Sequence, residues 1–264
     1  MPYRNLMPFL KVNLVILVVA VCGPNISYAQ DVDNDAANWA GQYAGATLGV
    51  SHGMVDTSAV QSGTGYFTGD DAALLNPQGS KDINGTDFNG SLLWGMNVQD
   101  GRTVYGIEAD VTIANFDEEY TSPRVNYNTS PADSFVINTK VQSDWLISIR
   151  PRYGFALDAS LFTVSAGPAV TKFQYDFDFS DTWGGGQTAT ASSSKLALGI
   201  AAGLGFEHKL QDDWALKTDY LYYNFPNAGK AHSSIDNDSY ATDGFKHDVS
   251  FQLHSIRVGV TKAF

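Results

Sequence analysis

The segment KLALGIAAGLGFEH, residues 195–208, separates large apolar side chains from small ones with a period of two. Every second residue from Leu196 to Phe206 is apolar, and the residues between them are mostly glycine or alanine. This period indicates a β-strand, because a helix repeats its apolar positions every three or four residues. A face of glycine and alanine is too small for a soluble core, but it suits the narrow lumen of a barrel whose large residues face lipid.

Seven further segments have the same alternation. They are YAGATLGV (43–50), GSLLWGMNV (90–98), VYGIEADVTI (104–113), WLISIRPRYGF (145–155), LFTVSAGPAV (161–170), WALKTDYLYY (214–223) and SIRVGVTKAF (255–264). An even number of strands lets an antiparallel sheet close without an exposed edge. We therefore predict an all-β protein, an eight-stranded antiparallel up-and-down transmembrane barrel. A soluble sandwich or lipocalin-like barrel is the alternative, but it would turn its apolar residues inward.

The connections between these segments alternate in length. Three are tight turns, near Asp100, Asp158 and Asp212. Four are long and rich in Gly, Ser, Asn and Asp, and they span roughly residues 52–87, 115–142, 178–194 and 226–248. Outer-membrane barrels combine short periplasmic turns with long extracellular loops, so we predict this orientation.

Aromatic residues then fall into two groups at opposite ends of the strands, as at the two interfaces of a membrane. The periplasmic group contains Tyr105, Phe155, Phe162, Phe206, Trp214 and Phe264, and the extracellular group contains Phe88, Trp145 and Tyr222.

Residues 1–29 have the organisation of a secretory signal peptide, with a basic segment, a short apolar run and the small residues of SYA. We predict that processing separates Ala29 from Gln30. The mature chain would then be a barrel over residues 30–264 that begins with a flexible tether over residues 30–38. A lipoprotein signal that uses the cysteine of the apolar run is the alternative.

Loss of this peptide would change the formal charge from −12 to −14, because it contains two basic residues and no acidic one. An acidic surface of this kind is a poor partner for nucleic acid. Cys22 is the single cysteine, so the mature chain would have no disulfide and no thiolate site. We expect no cofactor and no metal site.

Five pieces of the sequence occur in barrel order across the mature chain. They are WAGQYAGATLGV (39–50), VYGIEADV (104–111), RPRYGFALDASLFTVSAG (150–167), GLGFEHKLQDDWALKTDYLYYNF (203–225) and SIRVGVTKAF (255–264). In these pieces the chain resembles the small eight-stranded outer-membrane barrels of the OmpA transmembrane-domain and opacity-protein kind, often described as porin-family proteins. The resemblance implies a Gram-negative outer-membrane location, in contact with membrane lipid and lipopolysaccharide.

Residues 255–264 also resemble the C-terminal signal read by the barrel-assembly machinery. Arg257, Gly259 and Phe264 match its polar, glycine and terminal aromatic positions. Lys262 departs from it, because an apolar residue is usual there. Pro151 is another departure, since proline removes a ladder hydrogen bond from a strand, and we expect a local bulge there.

Eight charged residues lie on the face opposite the large apolar ones. They are Glu108, Asp110, Arg150, Arg152, Glu207, Lys217, Asp219 and Arg257. Because eight strands enclose little more than their own side chains, we predict a packed, ion-paired lumen. We expect the acidic pair of the third strand to face the arginines of the fourth, with the other residues closing the cluster. A gated ion path is the alternative.

The motif AHSSID places His232 two residues before Ser234, as in lipid A deacylases, although Ile235 stands where those enzymes have asparagine. We predict instead a non-enzymatic outer-membrane protein with a structural role. Its extracellular loops would supply any contact with a host surface or with haem, the latter through His52, His232 or His247. A solute-conducting porin is the second interpretation, and a deacylase-like enzyme is the third.

Overall fold

The computed structural model describes residues 36–63, 65–236 and 243–264. The predicted signal peptide, its cleavage site and most of the predicted tether lie outside these residues. The end of the tether, at Ala36 and Ala37, packs against the barrel, and Ala37 donates its N–H to the carbonyl of Asp158 at 2.8 Å. In the described residues, none of the helices has the length and apolar character required to cross a membrane.

Nine β-strands and one α-helix make up most of the described chain. The strands are β1 (Gly41–Val60), β2 (Asp82–Asp100), β3 (Thr103–Thr121), β4 (Val125–Asn126), β5 (Ser134–Leu157), β6 (Ser160–Asp181), β7 (Thr188–Lys209), β8 (Trp214–His232) and β9 (Lys246–Ala263). Helix α1 spans Gly69–Gly79, and a 3₁₀ turn spans Trp183–Gly185.

The eight long strands form a closed antiparallel ring. Each pairs with the next long strand along the chain, β3 pairs with β5, and β9 pairs with β1. The two-residue strand β4 only extends the edge of β5. The predicted eight-stranded barrel is thereby confirmed.

The half of the ring that lies nearest the tight turns, which we call the membrane half, has its large apolar residues on the outside. Leu48, Leu198 and Ile256 have 72%, 75% and 64% of their surfaces exposed. The small face of residues 195–208 points into a crowded lumen, where a Cβ at Gly199 would collide with the backbone of β8 at Asn224. Lipid outside and crowding inside therefore explain the two faces of this segment.

Beyond this membrane half the alternation continues, but the polarity of the two faces is exchanged. In β6 the sequence KFQYDFDF (172–179) places four aromatic side chains inward, each at most 1% exposed, and places lysine, glutamine and aspartate outward. This is the arrangement of a sheet that faces water. The eight long strands have 18 to 24 residues each, whereas a membrane crossing needs about 9–11. About half of each strand therefore extends beyond the membrane.

The predicted loop boundaries are consequently too wide. The connections at this end, which we call the loop end, cover residues 61–81, 122–133, 182–187 and 233–245. The polar residues that suggested loops are the outward residues of the strand extensions.

Above the membrane half the ring divides into two four-stranded sheets. The pairing of β2 with β3 stops at Gly90 and Ile113, and that of β7 with β8 stops at Ile200 and Asn224. Beyond these points β8, β9, β1 and β2 form one sheet, and β3, β5, β6 and β7 form the other. Buried aromatic and aliphatic residues fill the space between them.

The expected bulge at Pro151 is not found. Pro151 faces Ile107 in unbroken register with β3, and the irregularity of β5 lies between Ser143 and Leu146. On the other side the ladder with β6 is interrupted over residues 149–151 and resumes in the same register at Arg152, so the proline breaks the pairing locally without shifting it.

The aromatic core between the two sheets should contribute to stability independently of lipid. Phe251 is fully buried, and its ring centroid lies 5.3 Å from that of Phe116 and 5.3 Å from that of Phe173. We expect Phe251→Ala to lower the free energy of unfolding by roughly 3–5 kcal/mol, measured by urea unfolding of the refolded barrel in detergent. Phe88→Ala removes a ring that is 84% exposed and is the matched control. Equal losses in the two variants would contradict a packed core above the membrane.

Candidate functional site

The inward charges of the membrane half come from five strands and meet inside the lumen. All eight predicted lumen residues take part in ion pairs, and none is more than 6% exposed. Strands β3 and β5 place Glu108 directly opposite Arg150 in their register.

Glu108 connects the parts of this ion network. Its carboxylate lies 2.8 Å from Arg150 Nη2, 3.0 Å from Arg152 Nη1 and 3.1 Å from Lys217 Nζ. It also accepts a hydrogen bond from the hydroxyl of Tyr43 at 2.8 Å. Four donors around one buried carboxylate offset much of the free energy lost when the charge leaves water.

The remaining carboxylates extend the network across the lumen. Glu207 Oε1 lies 2.7 Å from Arg152 Nη2, and Lys217 Nζ lies 3.1 Å from Asp219 Oδ1. On the opposite side Asp110 pairs with Arg150 and with Arg257. The network therefore joins β3, β5, β7, β8 and β9 without leaving any of these charged groups unpaired.

Contacts between the connections tie the loop end together. Asp181, at the end of β6, accepts hydrogen bonds from the hydroxyls of Tyr66 and Tyr127, both at 2.9 Å. Its other oxygen accepts the backbone N–H of Gln187 at 2.9 Å. The Tyr66 N–H in turn donates to Asp243 at 2.7 Å. Burial raises the pKa of Asp181, and the hydrogen bonds partly oppose this shift.

Helix α1 is part of the same set of contacts at the loop end. Thr68 caps the helix and exchanges hydrogen bonds with Asp71, and Thr129 donates to the second oxygen of that carboxylate at 2.8 Å. Leu75 on the helix and Phe67 before it are buried in the aromatic core. The first connection is therefore folded onto the two sheets and covers the core between them.

The serine–histidine contact in this region differs from the predicted pair. His232 and Ser234 are both exposed, and no hydrogen bond joins them in the described residues. Instead Ser233 Oγ lies 3.0 Å from His247 Nε2, and Tyr175 OH lies 2.9 Å from His247 Nδ1.

This contact is part of the core. Ser233 and His247 are each 1% exposed, and burial lowers the pKa of His247 to about 4. Because both ring nitrogens are engaged and both residues are buried, the pair offers no surface to a substrate.

The histidines predicted as haem contacts do not converge. His52 lies on the outer wall at the edge of the membrane half, His232 is exposed at the end of β8, and His247 is buried. These positions belong to three different surroundings, so the described residues do not bring the three side chains to one ligand.

The predicted aromatic girdle lies on the outer wall. Its periplasmic members are all exposed, by 36–72%, and they are Tyr105, Phe155, Phe162, Phe206, Trp214 and Phe264. Of the extracellular members, Phe88 is exposed, whereas Trp145 and Tyr222 are half-buried.

The residues of the predicted assembly signal lie in different surroundings in the structure. Arg257 belongs to the ion network, and a Cβ at Gly259 would collide with the backbone of β1 at Ala46. Lys262 lies on the outer wall with its Nζ 5.3 Å from the centroid of the Trp214 ring. A cation–π contact of this kind lets a charged residue occupy an apolar position at an interface.

Two features of the structure were not predicted from the sequence: the aromatic core above the membrane and the hydrogen bonds to Asp181. A signal for the core was present, because residues 172–179 alternate with inverted polarity. The Asp181 contacts carry no local signal, since their partners come from separate connections.

No family model matches this sequence. The chain is similar to the 31 kDa outer-membrane immunogenic protein of Brucella melitensis biotype 1, with 26% identity over 254 residues, 93% of this chain and 91% of that protein. It is also similar to the 25 kDa outer-membrane immunogenic protein of Brucella abortus biovar 1, with 24% identity over 190 residues, 72% of this chain and 67% of that protein. The crystal structure of the outer membrane protein OprG from Pseudomonas aeruginosa matches 85% of this chain and 97% of its own, with 15% identity and a TM-score of 0.45.

The chain is an outer-membrane β-barrel protein. Its ring is closed, its membrane half is apolar on the outside, and its relatives are named outer-membrane proteins. In hydrocarbon only a helix or a closed barrel satisfies all backbone polar groups internally.

The ion network should be strongly coupled. Arg150→Ala removes one cationic partner from Glu108 and one from Asp110, so we expect it to cost roughly 3–5 kcal/mol of unfolding free energy. Lys140→Ala breaks an exposed pair with Asp117 and should cost about 0–1 kcal/mol. Urea unfolding in detergent measures both losses.

A double-variant cycle tests the coupling directly. Arg150→Ala combined with Glu108→Ala should cost less than the sum of the two single variants, because the two residues share one interaction. Additive losses would show that they stabilise the barrel independently.

Proposed function

We propose that this chain is a non-enzymatic outer-membrane protein that keeps its lumen closed and carries its specific activity on the extracellular loop end. The observation that carries the proposal is the filling of the lumen at two levels. The ion network occupies the membrane half, and packed aromatic side chains occupy the half above it. A barrel filled in this way has a structural interior, which leaves the outside of the molecule for interactions with partners.

The surface of the loop end is compatible with such a role. In the described residues, its strand extensions carry more exposed acidic than basic residues, the acidic ones being Asp56, Asp82, Asp117, Glu119, Asp144, Asp176 and Asp178. Partners with neutral or basic surfaces would fit this charge. The two Brucella relatives are named immunogenic, which agrees with exposure of part of such chains outside the cell.

Trp183 is a candidate contact residue on this surface. It lies in the connection 182–187, is 39% exposed and is followed by three glycines with positive φ. Its ring lies 4.9 Å from that of Tyr66, which belongs to the contacts around Asp181. A tryptophan that is exposed on a supported turn is typical of residues that dominate binding interfaces.

Adhesion of producing cells to cultured host cells tests the surface role. We expect Trp183→Ala to reduce adhesion several-fold while the heat-modifiable, folded form of the barrel stays at its normal level. The lipid-facing variant Phe88→Ala should leave adhesion unchanged. If cells with the wild-type barrel adhere no better than cells without it, the surface-contact role is wrong.

A solute-conducting porin is the second candidate, because the lumen of the membrane half is polar. Conductance in planar bilayers distinguishes the two proposals. The wild-type barrel should give only small or rare events, since the ion network fills its lumen. Arg152→Ala combined with Glu207→Ala removes both members of one pair without changing the net charge, and it should increase the conductance. Large, steady wild-type channels would favour the porin instead.

We also propose two contacts that follow from the outer wall. The apolar belt lies in membrane lipid, and its extracellular edge would adjoin lipopolysaccharide. Phe264, which is 72% exposed at the end of β9, would be presented to the barrel-assembly machinery during insertion.

A further inference from the structure

Two histidines from opposite ends of the chain lie side by side on the outer wall of the barrel. His52 on β1 and His254 on β9 are direct partners in the antiparallel register. Directly opposed residues of an antiparallel pair have Cβ atoms roughly 4.5–5.5 Å apart and share one face of the sheet. His52 is exposed and His254 is half-buried.

The pair occupies a defined level of the wall. The next outward residues toward the tight turns are Val50 and Ile256, which are 42% and 64% exposed and belong to the lipid-facing belt. In the other direction the outward positions carry Met54 and Gln252, which are again partners in the register. The two histidines therefore form the first polar row beyond the belt, at its extracellular edge.

Each imidazole is held by a hydroxyl group on a neighbouring strand. His52 Nδ1 lies 2.8 Å from Thr86 Oγ1, and His254 Nδ1 lies 2.7 Å from Tyr220 OH. The ring of Tyr222 lies 4.9 Å from that of His254 and packs against it. When Nδ1 donates its proton to the hydroxyl oxygen, Nε2 keeps a free lone pair.

This arrangement has the features of a metal-ligand pair. Ligating histidines in proteins commonly donate their second ring nitrogen to an oxygen acceptor, which fixes the ring and the tautomer. No hydrogen bond to the Nε2 atom of either histidine occurs in the described part of the chain. Imidazole pairs bind Cu²⁺ more strongly than the other divalent ions of the first transition row. The half-buried residue diagonal to His254 is Met54, so this neighbour adds no carboxylate oxygen of the kind that hard ions prefer.

We propose that His52 and His254 form a binding site for a divalent transition-metal ion, best matched by Cu²⁺, on the outer wall at the extracellular edge of the lipid belt. The two Nε2 atoms are the protein ligands, and water completes the coordination. The site is separate from the lumen and from the loop end, so it stands independently of the proposed function.

His208 provides an internal control. It is exposed, and its Nδ1 lies 3.0 Å from Ser160 Oγ, so its support resembles that of the two paired histidines. Its partners in the register are Ser160 and Leu216, and neither supplies a second imidazole. A lone imidazole of this kind should bind copper far more weakly than the pair.

Titration of the refolded barrel with CuCl₂ tests the site. The protein is produced without a polyhistidine tag and studied in detergent micelles by calorimetry and electron paramagnetic resonance. We expect one Cu²⁺ per barrel with two coordinated nitrogens. His52→Ala and His254→Ala should each lower the affinity at least tenfold and leave one nitrogen, whereas His208→Ala should change neither quantity.

Two outcomes of the titration would contradict the proposal, provided that each variant folds. His254→Ala removes ring contacts and could disturb the fold, but His52→Ala does not share this effect, and heat-modifiable mobility verifies folding of each variant. Equal affinity in the wild type and in the His52→Ala, His254→Ala double variant would overturn the proposal. Tighter binding of ZnCl₂ than of CuCl₂ would overturn the assignment of the ion.

Discussion

The requirement that every backbone polar group in hydrocarbon find a partner within the protein governs the rest of this structure. Eight strands meet it by closing into a ring, with β9 paired to β1. Such a ring is narrow, so its interior accepts small residues or side chains that pack against each other. The charged residues that point inward can remain there only because they neutralise one another, and Glu108 does so with partners from β5 and β8.

Above the membrane this requirement is relaxed, because water can satisfy backbone groups at a sheet edge. The ring divides there at two seams, beyond Gly90 and beyond Ile200, into two facing sheets. Water also inverts the preferred faces, so aromatic side chains move inward and charged ones outward. One strand such as β6 therefore obeys the rules of a membrane barrel along one half and those of a soluble sheet along the other.

A filled interior leaves the outside of the molecule as the surface for the interactions that we propose. The loop end is tied by Asp181 and covered by helix α1, which gives its exposed turns a rigid support. The outer wall has its own chemistry at the edge of the lipid belt, where cross-strand pairing brings polar side chains from distant parts of the sequence together. Rigid support of exposed residues is what recognition at a surface needs.

The period-two pattern of this sequence determined the eight strands, the lipid-facing residues and the set of inward charges, because alternation follows directly from the geometry of a strand. Strand length was not determined in the same way, since the outward residues of the extensions have the composition of loops. The partners of Lys217 and the neighbour of His52 depend on how the ring closes and on the register of its strands. No local sequence pattern predicts either of these. Ser233, and not Ser234, contacts His247 for the same reason. The alternation of a strand assigns each residue to one face of the sheet, but only the packed tertiary structure decides which side chain it contacts there.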